Sequence, residues 1–192
     1  LSVSSELYSF KTQKSPGESY SFIIEADPHF DDGSGDSVYR NALENMKELD
    51  PDFLVDLGDV TMAEKLTESN EEILYRSNLV RSYWDDISGS VPYYMVLGNH
   101  DGEAGWNFTN RKPIGEYTST IRRNLFPNPT PETDDFYNGL SDFIYSWTWG
   151  DALFVTLNPY GYMENKPKDD NWLWTLGEEQ YRWLEETLEN SE

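Results

Sequence analysis

The sequence contains no cysteine, which excludes disulfides and thiolate metal sites and leaves the redox compartment undefined. Basic residues are also scarce, since 14 Lys and Arg stand against 36 Asp and Glu and the formal net charge is −22. So acidic a surface repels nucleic acid phosphates and anionic membranes, and no Lys/Arg cluster offers a local exception. An anionic ligand would need cations at its binding site, and bound metal ions would supply them.

No apolar run in the sequence is long enough to span a bilayer, so no membrane-spanning helix is expected. The aromatic content of 15% argues against disorder despite the charge. A length of 192 residues suffices for one domain with a real core, or for most of a larger one. The chain starts at Leu1 without a charged leader, which indicates a removed leader or a trimmed sequence. The lack of Cys and the Lys-poor, aromatic-rich composition slightly favour an exported protein.

Strand-like and helix-like patterns alternate along the chain. The strand patterns predict a hairpin over residues 7–26, strands over 53–57 and 92–97, and a hairpin over 143–157 that turns at Gly150-Asp151. The helix patterns predict a helix capped by Asp36 or Ser37 and stopped at Asp50-Pro51, then helices over roughly 68–84, over 114–125 and from Gly177 onward. Alternation of strands and helices predicts an α/β fold with parallel strand pairs, and the later hairpin predicts a mixed sheet.

Three of the expected strands end in polar clusters, namely Asp27-Pro28-His29, Gly58-Asp59 and Gly98-Asn99-His100-Asp101. Ligands gather at the carboxyl ends of strands in open α/β sheets, so these clusters are expected to converge. Asp and His are ordinary ligands of first-row metals, and an Asn side-chain oxygen suits a hard or borderline ion. Both histidines of the chain fall in these clusters. The glycines would let the backbone turn sharply and approach an ion closely.

Each cluster by itself also has an ordinary explanation: a strand-end cap with a surface histidine, a Gly-Asp turn, or an Asn/Gly turn. The acidic loop Asp31–Asp36 raises the question of calcium, but it lacks the spacing and terminal Glu of an EF-hand loop, so a solvated loop or helix cap is favoured. Strand alternation points Asp56 away from the face of Val55 and Leu57, where it either supports the Asp59 site or is simply buried and paired. Taken together, the three clusters favour a metal site.

In these motifs the sequence resembles the calcineurin-like metallophosphoesterases, which include purple acid phosphatases and many phosphodiesterases. Their leading motifs are Asp-x-His, Gly-Asp and Gly-Asn-His-Asp/Glu, each after a strand and in that order. The hairpin at 143–157 and the segment from Gly177 to Leu184 also look like the middle region of the family. The resemblance covers the chain from about residue 20 to its end.

The resemblance implies a site with two metal ions, of Mn, Fe or Zn type. By motif, Asp27 and His29 would bind the first ion, Asp59 would bridge the two, and Asn99 would bind the second. The ions would lie on the order of 3.5–4 Å apart and hold a hydroxide nucleophile in line with the leaving group.

Two further residues take catalytic roles by the same resemblance. His100 would stabilise charge on the phosphate or protonate the leaving oxygen. Asp101 would hold the His100 ring in one tautomer and raise its basicity. The implied substrate is a phosphate mono- or diester.

The chain departs from the family in one respect. The family adds a lone His and then a Gly-His-x-His motif, whereas no histidine follows His100 here. Glu192 falls where the family would begin its next strand, so we expect one metallophosphoesterase domain over residues 1–192 that is truncated at its C-terminal end. With so few ligands, this stretch alone is expected to bind metal weakly and to be inactive. Its open apolar edge and face would favour self-association or pairing with the missing C-terminal portion.

The expected fold is therefore α/β, with two mixed β-sheets packed as a sandwich, helices outside and the second sheet unfinished. The expected function is metal-dependent phosphoester hydrolysis. Two alternatives stay open. A non-catalytic binding or scaffold domain of the same fold would lack the later histidines in the complete protein as well. An acidic calcium-binding surface protein would be stabilised by calcium and hydrolyse no phosphate ester.

Overall fold

The computed structural model describes residues 7–29, 35–61, 70–101, 112–129, 143–159, 172 and 175–191. The elements in chain order are β1 (Phe22–Glu25), α1 (Asp36–Glu48), β2 (Phe53–Asp56), α2 (Asn70–Ser88), β3 (Tyr93–Met95), α3 (Lys112–Leu125), β4 (Tyr145–Trp149), β5 (Ala152–Thr156) and α4 (Glu178–Glu189). Most of the acidic loop Asp31–Asp36 lies outside the described residues, so the preference for a solvated loop or helix cap over a calcium loop stays a prediction.

The first three strands form a parallel sheet in the order β1-β2-β3. The register pairs Phe22 with Phe53 and Leu54 with Tyr93. As the central strand, β2 is buried at all four positions, which matches its continuous apolar run. Because all three strands run in the same direction, their carboxyl ends lie along one edge of the sheet.

A second sheet, the antiparallel hairpin of β4 and β5, packs on one face of the parallel sheet. The interface between the two sheets is aromatic: Tyr94 stacks on Trp147 with ring centroids 3.9 Å apart, and Phe53 lies 5.2 Å from Phe154. The predicted α/β architecture with parallel and antiparallel pairing is confirmed. Among the described strands, the parallel pairs lie in one sheet and the antiparallel pair in the other.

Helices α1 and α2 cover the opposite face of the parallel sheet. Leu43 of α1 and Val80 and Trp84 of α2 join Leu54 and Met95 in the main core. The N-cap of α1 is Gly35, so the predicted cap at Asp36 or Ser37 is wrong by one or two positions. Asp36 instead lies in the first turn, where its charge complements the helix dipole.

The predicted hairpin over residues 7–26 is wrong in its first arm. Residues 7–21 contain no strand, and Leu7 and Phe10 are exposed. The turn at Ser15 does form, since Glu18 donates its amide to the Ser15 carbonyl. Polar anchors hold the segment instead of strand pairing: Lys11 and Lys14 form ion pairs with Asp50 and Asp52, and the Gly17 amide donates to Asp151 at 2.8 Å.

The later elements follow the sequence-based prediction. Helix α3, the β4–β5 hairpin and the start of α4 after Gly177 lie where they were expected. Gln180 of α4 is buried and exchanges two hydrogen bonds with the backbone of Asn158, which ties this helix to the end of β5. Among the helices that the structure describes, none has the length and apolar character needed to cross a bilayer.

Candidate metal centre

Backbone hydrogen bonds join the three loops that follow β1, β2 and β3. The Asp27 amide donates to the Gly58 carbonyl at 3.0 Å, and the His29 amide donates to the Asp59 carbonyl at 3.2 Å. The His100 amide donates to Oδ1 of Asp59 at 2.7 Å. The predicted convergence at the carboxyl edge of the sheet is therefore present.

Asp27, His29 and Asp59 form a compact group of potential metal ligands, whose ligand atoms all lie within 4.8 Å of one another. Nε2 of His29 is 3.2 Å from Oδ1 of Asp27. The Asp59 side chain is buried, His29 is half-buried and Asp27 is exposed, so the group opens to solvent on one side. Two carboxylates and an imidazole are a donor set that a first-row divalent ion accepts, and the residues fit such an ion.

These three residues share an uncommon backbone conformation. Positive φ angles occur at Asp27 (60°), His29 (51°) and Asp59 (59°). Gly58, which directly precedes Asp59, has a φ of 91°. Among the described residues other than glycine, Asp50 is the fourth with positive φ, and it lies at the other end of the sheet. Left-handed backbone at a non-glycine residue costs about 1–3 kcal/mol and persists where the surrounding structure fixes it. Its concentration at three potential ligands supports a functional site.

The two glycines of the motifs allow the loops after β2 and β3 to approach each other. A Cβ placed on Gly58 would overlap the Gly98 amide, and a Cβ placed on Gly98 would overlap the Asp59 amide and carboxylate. The close approach that these glycines permit is to the neighbouring loop, and the expected close approach to an ion stays a prediction.

His100 and Asn99 lie in the turn after β3. The His100 ring stands near the His29 ring, with centroids 5.9 Å apart, and is half-buried. Asn99 is half-buried in the same turn. The predicted role of Asn99 as ligand of a second ion, and that of His100 beside the substrate, stay predictions.

Asp101 has a role that the sequence did not suggest. It is fully buried, and Oδ2 accepts the amides of Gly98 and Asp59 at 2.7 and 2.8 Å, while Oδ1 accepts the Val60 amide at 3.0 Å. Asp101 thus fastens the loop after β3 to the loop after β2. Its predicted role, holding the His100 ring, stays a prediction.

Sequence reasoning missed Arg122 of α3. Its buried guanidinium lies 3.4 Å from Oδ1 of Asp101, and Nη2 donates to the Asp101 carbonyl at 3.0 Å. Helical spacing places Arg122 on the same face as Thr118 and Phe126, which are buried, but the sequence alone does not show that this face is the buried one. A cation on the buried face of a helix requires a buried partner.

A second buried network lies under the site, on the helix-covered face of the sheet. The Tyr93 hydroxyl is 2.8 Å from Oε1 of Glu25 and 3.0 Å from Oδ2 of Asp56. Tyr39 donates to Glu25 at 3.1 Å and accepts from the Trp84 indole at 2.7 Å. Asp56 is buried and paired, as one of its two predicted roles required. Its Oδ1 also accepts a hydrogen bond from the amide of Gly58, the residue before Asp59, at 2.7 Å.

Both acids of this network are held toward their neutral forms. Burial raises the pKa of Asp56 well above its usual value, and the nearby Glu25 carboxylate raises it further. Burial also raises the pKa of Glu25, against hydrogen bonds from Tyr93 and Tyr39 that lower it. The Tyr93 hydroxyl has a single hydrogen to share between the two carboxyl groups, which agrees with the raised pKa of each acid.

The fold and the site define an α/β protein with a candidate metal centre at the carboxyl edge of a parallel sheet. A sequence model of the calcineurin-like phosphoesterase family matches residues 20–191. The chain belongs to the calcineurin-like phosphoesterase family.

Structural comparison agrees with this assignment. The chain is similar to a purple acid phosphatase, PPD1, isolated from seeds of yellow lupin (Lupinus luteus), with a TM-score of 0.61 and 20% sequence identity. The match covers 95% of this chain and 30% of the phosphatase chain, so the present chain spans under a third of that protein. At this identity the likeness concerns the fold. A comparison with curated proteins gave no match.

Proposed function

We propose that the protein hydrolyses a phosphate mono- or diester at a centre of two metal ions held in part by Asp27, His29, Asp59 and Asn99. The observation that carries the proposal is the group of Asp27, His29 and Asp59, whose ligand atoms lie within 4.8 Å of one another at the joined carboxyl ends of β1 and β2. Membership of the calcineurin-like phosphoesterase family supports the same chemistry. When bound, the metal ions supply the positive charge that polarises the phosphate and activates water.

Under this proposal, each of the protein's own residues at the site has a separate role. Asp27 and His29 would hold the first ion, and Asp59 would contribute its carboxylate to both ions. The His100 amide already donates to one oxygen of Asp59, which fixes the orientation of that carboxylate. The His100 ring, near His29, contacts the phosphate and donates a proton to the leaving oxygen.

The charge of the molecule makes local cations necessary. An anionic ester approaches a chain of formal net charge −22, so bound metal ions would provide the local attraction. Because the chain has only 2 histidines, residues 1–192 alone are expected to bind these ions weakly and to show no turnover.

The test compares hydrolysis of an aryl phosphate monoester and an aryl phosphate diester by the complete gene product, with Mn²⁺ or Zn²⁺ added. Asp59→Asn should lower kcat/KM by on the order of 100-fold or more, since loss of one charge-stabilising group costs about that much. Asp86→Asn, on the exposed surface of α2, is the matched control and should leave turnover unchanged. Residues 1–192 alone, assayed in parallel, should be inactive.

Two results would contradict the proposal. Unchanged turnover in Asp59→Asn would remove the bridging role. A complete gene product that binds Mn²⁺ without hydrolysing either ester would favour the non-catalytic alternative instead.

A further inference from the structure

The loops that carry the candidate ligands meet at one buried carboxylate. Asp101 accepts the amides of Asp59 and Val60 from the loop after β2 and the amide of Gly98 from the loop after β3. Its side chain is 0% exposed. The position of Asp59 relative to the turn at Asn99 and His100 therefore depends on where the Asp101 carboxylate is held.

Arg122 of α3 pairs with this carboxylate from the other side. The Arg122 side chain is 5% exposed, and its Nη2 atom contacts both Oδ1 and the carbonyl oxygen of Asp101. Nη1 of the same guanidinium lies 3.4 Å from the Met95 sulfur, and its centre lies 5.5 Å from the Phe143 ring. Arg122 is thus packed on three sides, which leaves the guanidinium little freedom to move.

We infer that Arg122 is a positioning residue for the metal centre: it acts through Asp101 to set the distance between the loops that carry Asp59 and Asn99. The inference rests on the proposed function for its effect on metal binding. A buried carboxylate without a cation is strongly destabilised. Without Arg122, Asp101 loses the charge that keeps it buried between the loops, and the three amides lose a fixed acceptor.

The inference gives helix α3 a role in the geometry of the metal centre. None of the residues proposed as ligands belongs to this helix, which packs on α2 and contacts Met95 of β3 through Arg122. By this inference its position sets the geometry of the ligand loops. Partners of metal ligands typically affect metal affinity by about 10–100-fold. Arg122 should have an effect of that size although it contacts no ion.

The test uses Arg122→Met, which keeps the volume and removes the charge, and Arg122→Lys, which keeps the charge but loses the planar fork of donors. Arg123→Met is the matched control, since Arg123 is the next residue of α3 and is exposed. All four proteins, wild type included, are complete gene products freed of metal by a chelator. Two quantities are measured: amide hydrogen exchange resolved to single residues, and affinity for Mn²⁺.

In Arg122→Met, the amides of Asp59, Val60 and Gly98 should exchange about 10-fold faster or more, while the β4–β5 hairpin keeps its wild-type rate. Mn²⁺ affinity should fall by about 10–100-fold. Arg122→Lys should lie between wild type and Arg122→Met in both measurements, and Arg123→Met should match wild type. If Arg122→Met does not fold, the comparison of Arg122→Lys with wild type decides by the same two quantities.

Wild-type exchange at the three amides in Arg122→Met would overturn the inference. So would acceleration throughout the chain with unchanged Mn²⁺ affinity, because that pattern means general destabilisation only. Failure of the proposed function is distinguishable: the wild type would then bind no Mn²⁺ and hydrolyse no ester, whereas the exchange measurement on metal-free protein still reports on Arg122.

Discussion

At the scale of single residues, the molecule concentrates acids where they cannot all be charged. Glu25 and Asp56 lie opposite each other in the register of β1 and β2, and both reach the same Tyr93 hydroxyl. Strand alternation places Asp56 on the face of Leu54, toward the helices, as the sequence indicated. The partner Tyr93 could not be inferred, because the contact depends on the register of β3.

The raised pKa of Asp56 makes folding stability depend on pH in a definite direction. Its folded pKa exceeds its usual value, so the stabilisation is complete below the unfolded pKa and is lost as pH rises through the folded pKa. Asp56→Asn cannot ionise, keeps an acceptor for the Gly58 amide and can donate to Tyr93. The stability of Asp56→Asn relative to wild type should therefore increase from pH 4 to pH 8, as measured by urea unfolding with chelator present.

The exposed Asp86→Asn variant provides the reference for removal of one carboxylate without burial. Its stability relative to wild type should change far less over the same pH range. A difference between Asp56→Asn and wild type that does not vary with pH would show that Asp56 ionises in the folded chain as it does when unfolded.

The site residues show which contacts a sequence can reveal. Asp27, His29 and Asp59 could be brought together from the sequence because parallel strands share an edge and each residue directly follows a strand. Arg122 could not be linked to Asp101, since it lies 21 positions further along the chain and the segment between them includes a stretch with no regular pattern. Nothing in the composition of α3 distinguishes Arg122 from Arg123 without knowledge of which side of the helix is buried.

At the scale of elements, apolar periodicity predicted most helices and strands, because each buries one face. The predicted first arm of the N-terminal hairpin relied on the same apolar pattern and was wrong. Leu7 and Phe10 are apolar, but they are exposed and cover no sheet face. The helix predicted over roughly 68–84 forms as α2, but it continues one turn further, to Ser88.

The contact between the two sheets depends on Phe53. This residue is 0% exposed and its ring lies within 5.2 Å of the rings of Phe22, Trp149 and Phe154. Phe53→Ala should lower the free energy of unfolding by about 3–5 kcal/mol, because it removes the aromatic centre of the interface and leaves a cavity. Chemical denaturation monitored by tryptophan fluorescence measures the change.

Phe22→Ala is the internal comparison for this prediction. Phe22 belongs to the same aromatic group but is 39% exposed, so its removal should cost clearly less. Equal losses in the two variants would mean that the sheet-to-sheet interface does not have its energetic centre at Phe53.

At the scale of the whole molecule, charge is the dominant property. A formal net charge of −22 on 192 residues produces self-repulsion that opposes the compact state. Helix α4 adds to this, since Glu185, Glu186 and Glu189 are exposed near its carboxyl end, where the helix dipole disfavours negative charge.

Salt should therefore stabilise the folded chain. Raising NaCl from about 0.01 M to about 0.5 M shortens the screening length from roughly 30 Å to a few ångströms. An increase in Tm of roughly 2–4 °C per kcal/mol of relieved repulsion is expected in a thermal melt. The triple variant E185Q/E186Q/E189Q should have a higher Tm than wild type at low salt, and its Tm should rise less when NaCl is added. A wild-type Tm that does not change with NaCl would contradict a repulsive contribution to stability.

The left-handed backbone at Asp27, His29 and Asp59 has a consequence for how an ion arrives. Because folding itself forces these dihedral angles, the ligands need not search for them when a cation enters. The ordering entropy of metal binding would then be correspondingly small, and the candidate centre would be preorganised rather than assembled around an ion.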